Sequence, residues 1–319
     1  MTAAQSAAKP DQPGRPAEEA LRYVVPDSLP EHTGPRSQEV METNGRADLV
    51  PGTQLDILSL KLSIIILAYN DETTIARAIG EVLRIDYPCA VELIVVDDGS
   101  TDQTWRVISS IEDKRVVMHR HDANQGKGAA LRSALSLATG SYVIPFDADL
   151  QYNALDIPRI LAPVLTGRCD VVYGTRLFGC NTVYQSYWHA LGNRMLTRLA
   201  NVLFGAYLSD LNTCFKLLPL ATLRELPIGE QGHGLDTEMT ALLLKRGIRP
   251  FEVPVSYISR SLAQGKKISW RDGMVRLGIL LRVRMQSESS RGRNRRTDGA
   301  PLCDDTLAES DQQPLPEAG

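Results

Sequence analysis

The chain lacks the features that would tie it to a membrane span, a cysteine-held metal or secretion. No apolar run approaches the ~18 to 20 residues that a spanning helix needs, so a bilayer crossing is not expected. The five cysteines (Cys89, Cys169, Cys180, Cys214 and Cys303) are scattered without metal-ligand spacing, and nothing at the start resembles a signal sequence. A reducing cytoplasm is the expected home. The net charge of −3 says little about partners as a whole. Its distribution says more, because from Ala263 to Arg296 ten Lys or Arg stand against Asp272 and Glu288. Such a stretch faces something anionic. The basic tail has neither interleaved aromatics nor a nucleic-acid motif, so no nucleic acid is expected there.

Residues 1–59 hold seven of the eighteen prolines and no sustained apolar period, which reads as a disordered arm. The polar and basic tail, 286–319, reads the same way. Between them, 60–285 is long enough for one α/β domain. Leu62–Leu67 is a β-branched run of the kind buried on both faces of a sheet, and a helix is expected over Glu72–Leu83. Val91–Val96 predicts the second strand and Thr104–Ile111 the second helix. Val116–Met118 predicts a short strand, Gly126–Ala138 a helix, Tyr142–Phe146 a fourth strand and Asp170–Tyr173 another. Alternating strands and helices imply a mainly parallel sheet covered on both faces.

Asp147-Ala148-Asp149 stands at the end of the fourth of these strands. Two bare carboxylates there repel each other, whereas hard oxygen ligands suit Mg²⁺ or Mn²⁺, which keep open positions for water and substrate phosphates. Gln151 offers a neutral oxygen beside them. The plainer alternative is a surface turn, where Asp is common. In parallel sheets, however, ligands gather at the carboxyl ends of the strands. Tyr69-Asn70-Asp71-Glu72 follows the first strand and Asp97-Asp98-Gly99-Ser100 the second. Asn124-Gln125-Gly126-Lys127-Gly128 places a lysine at a helix start, where free backbone N–H groups favour phosphate.

From Leu62 to Met285 the order and spacing of these motifs resemble the inverting family 2 glycosyltransferases, and within them the dolichyl- and polyprenyl-phosphate mannosyltransferases. The resemblance implies a GT-A fold, an α/β three-layer sandwich with a mainly parallel mixed sheet. It places Ala68, Tyr69, Asn70, Asp71 or Glu72, Asp97 and Asp98 around the nucleoside. Leu67 replaces the family's proline, and Asp71 stands where the family has glutamate. Asp147, Asp149 and Gln151 are implied as metal ligands, with Lys127 on the donor's phosphates and Arg260 and Lys266 on a loop that closes over them. Arg176, in Gly174-Thr175-Arg176, and Arg194 are implied to hold the acceptor's phosphate. The similarity continues through Asp210-Leu211-Asn212-Thr213-Cys214-Phe215-Lys216.

These residues imply a metal-dependent transferase moving a mannose- or glucose-type sugar from a GDP- or UDP-sugar to polyprenyl phosphate. A phosphate acceptor arrives largely ionised and needs no protein base. A hydroxyl acceptor needs one, and Gly234-Leu235-Asp236-Thr237-Glu238 lacks the adjacent Glu-Asp pair of hydroxyl-accepting relatives. Asp236 and Glu238 remain possible bases, capping of the helix Thr237–Lys245 being the plainer role for Asp236. Trp188, Leu191, Met195, Leu199 and Val202 recur at helical spacing beside Arg194 and Arg198, and Trp270–Met285 mixes apolar and basic residues. Both suit a peripheral helix at anionic headgroups on the cytoplasmic face of a membrane. The competing readings are a soluble transferase acting on a hydroxyl and a nucleotide-sugar binding protein without catalysis.

Overall fold

A computed structural model describes residues 60–177, 182–183, 186–259 and 270–286. The expected N-terminal arm, nearly all of the tail, Arg260 and Lys266 lie outside the described residues. Six strands of the main sheet run parallel, starting with Lys61–Ala68 (β1), in which five consecutive residues are buried. Such a run fits a strand covered on both faces. Ala90–Asp97 (β2), Val116–Arg120 (β3) and Tyr142–Pro145 (β4) join it, and Val172–Thr175 (β5) lies beyond. Thr182–Val183 (β6) pairs with Tyr257–Ile258 (β9) in a separate two-stranded ribbon. Lys216–Pro219 (β7) and Phe251–Pro254 (β8) complete the main sheet, whose order is β3-β2-β1-β4-β7-β5-β8. All neighbours are parallel except β7, which runs antiparallel between β4 and β5. The mixed sheet expected from the sequence is therefore present.

Alternation along β1 divides the core. Leu62, Ile64 and Ile66 face one layer, with Ile75, Ala78, Ile79 and Val82 of helix α1 (Ile75–Leu83) packed on it. Those helical positions recur at i, i+3, i+4 and i+7, the spacing of one helix face. Ile65 faces the other layer, against Ala130, Leu131 and Ala134 of α3 (Lys127–Leu137) and Met239 and Leu243 of α7 (Leu235–Lys245). Helix α2 (Thr104–Ser109) and α4 (Ile157–Leu165) belong with the first layer, and α6 (Leu220–Arg224) with the second. Two longer helices, α5 (Tyr187–Phe204) and α8 (Trp270–Met285), pack against each other. Helices start later or stop sooner than the periodicity suggests, α1 at Ile75 and α2 at Ser109. Fraying and tight terminal turns set such ends.

Candidate active site

Parallel strands bring their carboxyl ends to one edge, and an antiparallel strand brings its amino end there. Hence the loops after β1, β2, β4 and β5 converge with Asp210–Phe215, the segment that leads into β7.

The loops after β1 and β2 are locked to each other. Ala68 is buried at the end of β1, and Tyr69 is 45% exposed at the rim. Asn70 takes a left-handed φ of 55°, donates its N–H to Ser100 Oγ at 2.9 Å, and accepts the Thr101 N–H at 2.9 Å. Asp71 Oδ2 accepts the Tyr69 N–H at 3.1 Å, while Glu72 accepts from the Gln103 N–H at 2.9 Å and so turns toward α2. Asp97 and Asp98 are buried. Asp97 accepts the Ser100 N–H at 3.1 Å through Oδ1, and its Oδ2 lies 3.1 Å from Arg120 Nε. Asp98 Oδ1 receives the Gln125 N–H at 3.0 Å and lies 2.7 Å from His121 Nδ1; its Oδ2 receives the Gly126 N–H at 2.8 Å.

This corrects one expectation. At the helix start the backbone N–H groups of Gln125 and Gly126 are taken by Asp98 and that of Gly128 by Gln231 O at 3.2 Å, so these three are not offered to a phosphate. A Cβ at Gly128 would fall 1.9 Å from Glu230 O, so the 229–232 loop seats directly on the first turn of α3. Glu238 holds that loop, accepting from the N–H groups of Gly229 at 3.0 Å and Glu230 at 2.7 Å. Its other oxygen accepts from Arg282 of α8 at 2.9 Å.

What Lys127 brings to the site is its side chain. Its Nζ lies 3.1 Å from Asp147 Oδ1 and 3.7 Å from Asp236 Oδ2. Burial alone would lower its pKa, but the Asp147 and Asp236 carboxylates outweigh that and hold it well above the ordinary lysine value. The acidic turn is shaped by Leu150 at φ 60°, and Gln151 anchors it, accepting from Tyr257 Oη at 3.0 Å and from the Ile258 N–H at 2.9 Å. Asp149 Oδ1 accepts the Gln151 N–H at 3.2 Å. Among the described residues no cluster of three or more His, Cys, Asp or Glu forms a complete cage. Two carboxylates, one already bound to an ammonium, are the donor set a small hard cation uses when phosphates and water supply its other ligands.

Sequence reasoning weighed Asp236 as a base or a cap but missed its two lysine partners, and it gave Lys216 no role. Asp236 does not cap α7: the cap position is Gly234, and the Asp236 carboxylate sits between Lys127 and Lys216, 3.7 Å from each ammonium. Burial would raise its pKa, yet Lys127, Lys216 and Arg276 hold it below the usual carboxylate value. Lys216, at the head of β7, is wholly buried. Its Nζ donates to Leu211 O at 3.4 Å and to Thr213 O, and stands 4.9 Å from the Tyr173 ring centre. A lysine opening the apolar run Leu217-Leu218 was the available signal.

After β5, Arg176 is gripped bidentately by Asp210, Nε to Oδ2 at 2.6 Å and Nη2 to Oδ1 at 2.8 Å, and stacks 4.8 Å over Tyr257. The pair is neutral as a unit, so Arg176 alone adds no net charge for a phosphate. Asp210 also accepts from Asn193 Nδ2 at 2.9 Å, tying this loop to the turn of α5 that carries the exposed Arg194. Outward from there, Tyr187, Trp188, Met195 and Val202 of α5 are exposed, as are Met274, Leu281 and Met285 of α8. No helix among the described residues is long and apolar enough to cross a membrane.

The family model for glycosyl transferase family 2 matches residues 63–224, just over half the chain, and the chain belongs to that family. It is 28% identical over 193 residues to glycosyltransferase AglJ of Haloferax volcanii, covering 60% of this chain and 61% of that protein. It is 25% identical over 246 residues to the UDP-N-acetylglucosamine–dolichyl-phosphate N-acetylglucosaminyltransferase of Methanococcus voltae, covering 68% of this chain and 97% of the relative. Glucosyl-3-phosphoglycerate synthase of Mycobacterium tuberculosis, solved with Mn²⁺, UDP and glucosyl-3-phosphoglycerate, superposes with a TM-score of 0.55 at 20% identity over 76% of this chain and 88% of that one. With Mg²⁺ and UDP the same enzyme gives 0.53 at 22% identity, over 75% and 86%. The fold is GT-A, and the chain is a glycosyltransferase.

Proposed function

We propose that the chain is an inverting, metal-dependent transferase that moves a hexosyl group from a nucleoside diphosphate to a polyprenyl phosphate. The observation that carries the choice of acceptor is the state of Asp236. A hydroxyl nucleophile needs a carboxylate able to take its proton. Asp236 is held ionised between two ammonium groups, which makes it a poor base, and Glu238 is buried and engaged by two backbone N–H groups and Arg282. A phosphate monoester arrives already ionised and needs neither. The Methanococcus voltae relative, named for a dolichyl-phosphate acceptor, supports the same choice.

Tyr69 offers its ring to the base, with Asp71 on the nucleoside and Asp97 and Asp98 shaping the pocket floor. Asp147 and Asp149, with Gln151, would hold Mg²⁺ or Mn²⁺. That cation would neutralise the charge growing on the departing diphosphate, a gain larger in the transition state than in the ground state. Lys127 faces the same charge. Arg260 and Lys266 are proposed to close over the diphosphate, and Arg194, with Arg176 behind it, to receive the acceptor's phosphate. An acceptor oxygen then attacks the anomeric carbon opposite the leaving group, one C–O bond forming as the other breaks.

A lipid acceptor brings the site to a membrane, and the exposed apolar residues of α5 and α8, flanked by Arg194, Arg198, Arg271 and Arg284, suit an anionic surface. The test is transfer from a panel of GDP- and UDP-sugars, N-acetylated ones included, to a short polyprenyl phosphate with Mg²⁺ or Mn²⁺. Product on the lipid phosphate, lost on chelation, is expected. Turnover with water-soluble hydroxyl acceptors alone would overturn the proposal.

A further inference from the structure

The acidic turn already holds a cation. One ammonium, that of Lys127, is shared between Asp147, implicated in metal binding, and Asp236, which no metal role requires. The two contacts differ by little, 3.1 Å against 3.7 Å, and a lysine stem is flexible enough to pass from one carboxylate to the other. Asp236 is fixed from behind by Lys216, buried and anchored on the Leu211 and Thr213 carbonyls. A cation in the first turn of α3 also opposes the helix dipole, so the carboxylates, not the helix, account for its place.

We propose that Lys127 is a placeholder for the metal. It sits on Asp147 before the cation binds and steps across to Asp236 when the cation arrives, Lys216 keeping Asp236 in position to receive it. The inference rests on the metal reading above. Metal binding is then an exchange of one cation for another at Asp147.

The test is Mn²⁺ binding without nucleotide, read from the electron paramagnetic resonance signal of free Mn²⁺, with thermal melts confirming that each variant folds. Lys127→Met, or Lys127→Gln as a second variant, is expected to bind Mn²⁺ about fivefold more tightly than wild type. Asp236→Asn is expected to weaken binding by a similar factor in the wild-type background and far less in the Lys127→Met background, where no ammonium needs a second seat. A plain Coulomb effect of Asp236 gives the same factor in both backgrounds, and that result overturns the placeholder, as does unchanged affinity in Lys127→Met. Failure of wild type to bind Mn²⁺ even with UDP present removes the metal reading itself.

Discussion

Asp98→Ala separates a scaffold from a ligand contact. The Asp98 carboxylate gathers the N–H groups of Gln125 and Gly126 and the His121 ring, and it is 4% exposed. Truncation leaves those donors facing a small void. Each stranded amide costs ~1–3 kcal/mol, and because Gln125 is exposed and Gly126 only half-buried the lower half of that range applies. With the imidazole contact added, the loss comes to about 3 kcal/mol, or roughly 6–12 °C in melting temperature for a domain of this size. Asp98→Asn recovers only part, since its amide nitrogen meets a donor on one side. Calorimetry gives the melt, and hydrogen exchange on a peptide spanning 121–128 locates the opening. An Asp98→Ala protein that melts with wild type, keeps those amides protected and yet no longer binds UDP or GDP would show that the carboxylate serves the base and not the loop.

Asp149→Ala should reduce transfer at least ~100-fold, the scale of a lost electrostatic contact to the leaving group, with an unchanged melt; wild-type turnover defeats the metal assignment. Asp210→Ala strands the Arg176 guanidinium and should cost about 3–5 kcal/mol in urea denaturation, whereas Asp210→Leu with Arg176→Met should recover more than half of it. Equal stability of Asp210→Ala and wild type would contradict this. Burial pushes the Glu92 carboxyl up, but hydrogen bonds from Lys61, Ser63 and Thr139 outweigh burial and bring it down to about 2 from 4.5. A lowered carboxylate stabilises the fold above its unfolded value and loses that contribution as pH falls from 4.5 toward 2. Glu92→Gln should therefore flatten the acid limb of the stability curve, and an identical limb in both proteins refutes the assignment.

The first four strands were legible because β-branched runs such as Ser63–Leu67 can only be buried on both faces, and the strand order then put Asp97, Asp98, Asp147 and Asp149 at one edge. β7 was not read as a strand. Lys216-Leu217-Leu218-Pro219 is four residues long and opens on a charge, and only the antiparallel insertion between β4 and β5 makes it central. The loop before Lys127 reads in the sequence as a source of backbone N–H groups, and what hid the outcome is that the carboxylate receiving those of Gln125 and Gly126 follows another strand. The pairing of Asp236 was hidden for a related reason: its two lysines come from α3 and β7, and no local pattern announces a partner that only the tertiary fold supplies.

Helix α8 carries Ile279, Leu280 and Val283 into the core, and its Arg282 reaches the same carboxylate that secures the 229–232 loop. Cutting the gene ahead of Trp270 would thus uncover three aliphatic side chains and loosen the loop that seats on the first turn of α3 in one stroke. A minimal catalytic fragment must run through Gln286, well past the last residue that the family signature reaches.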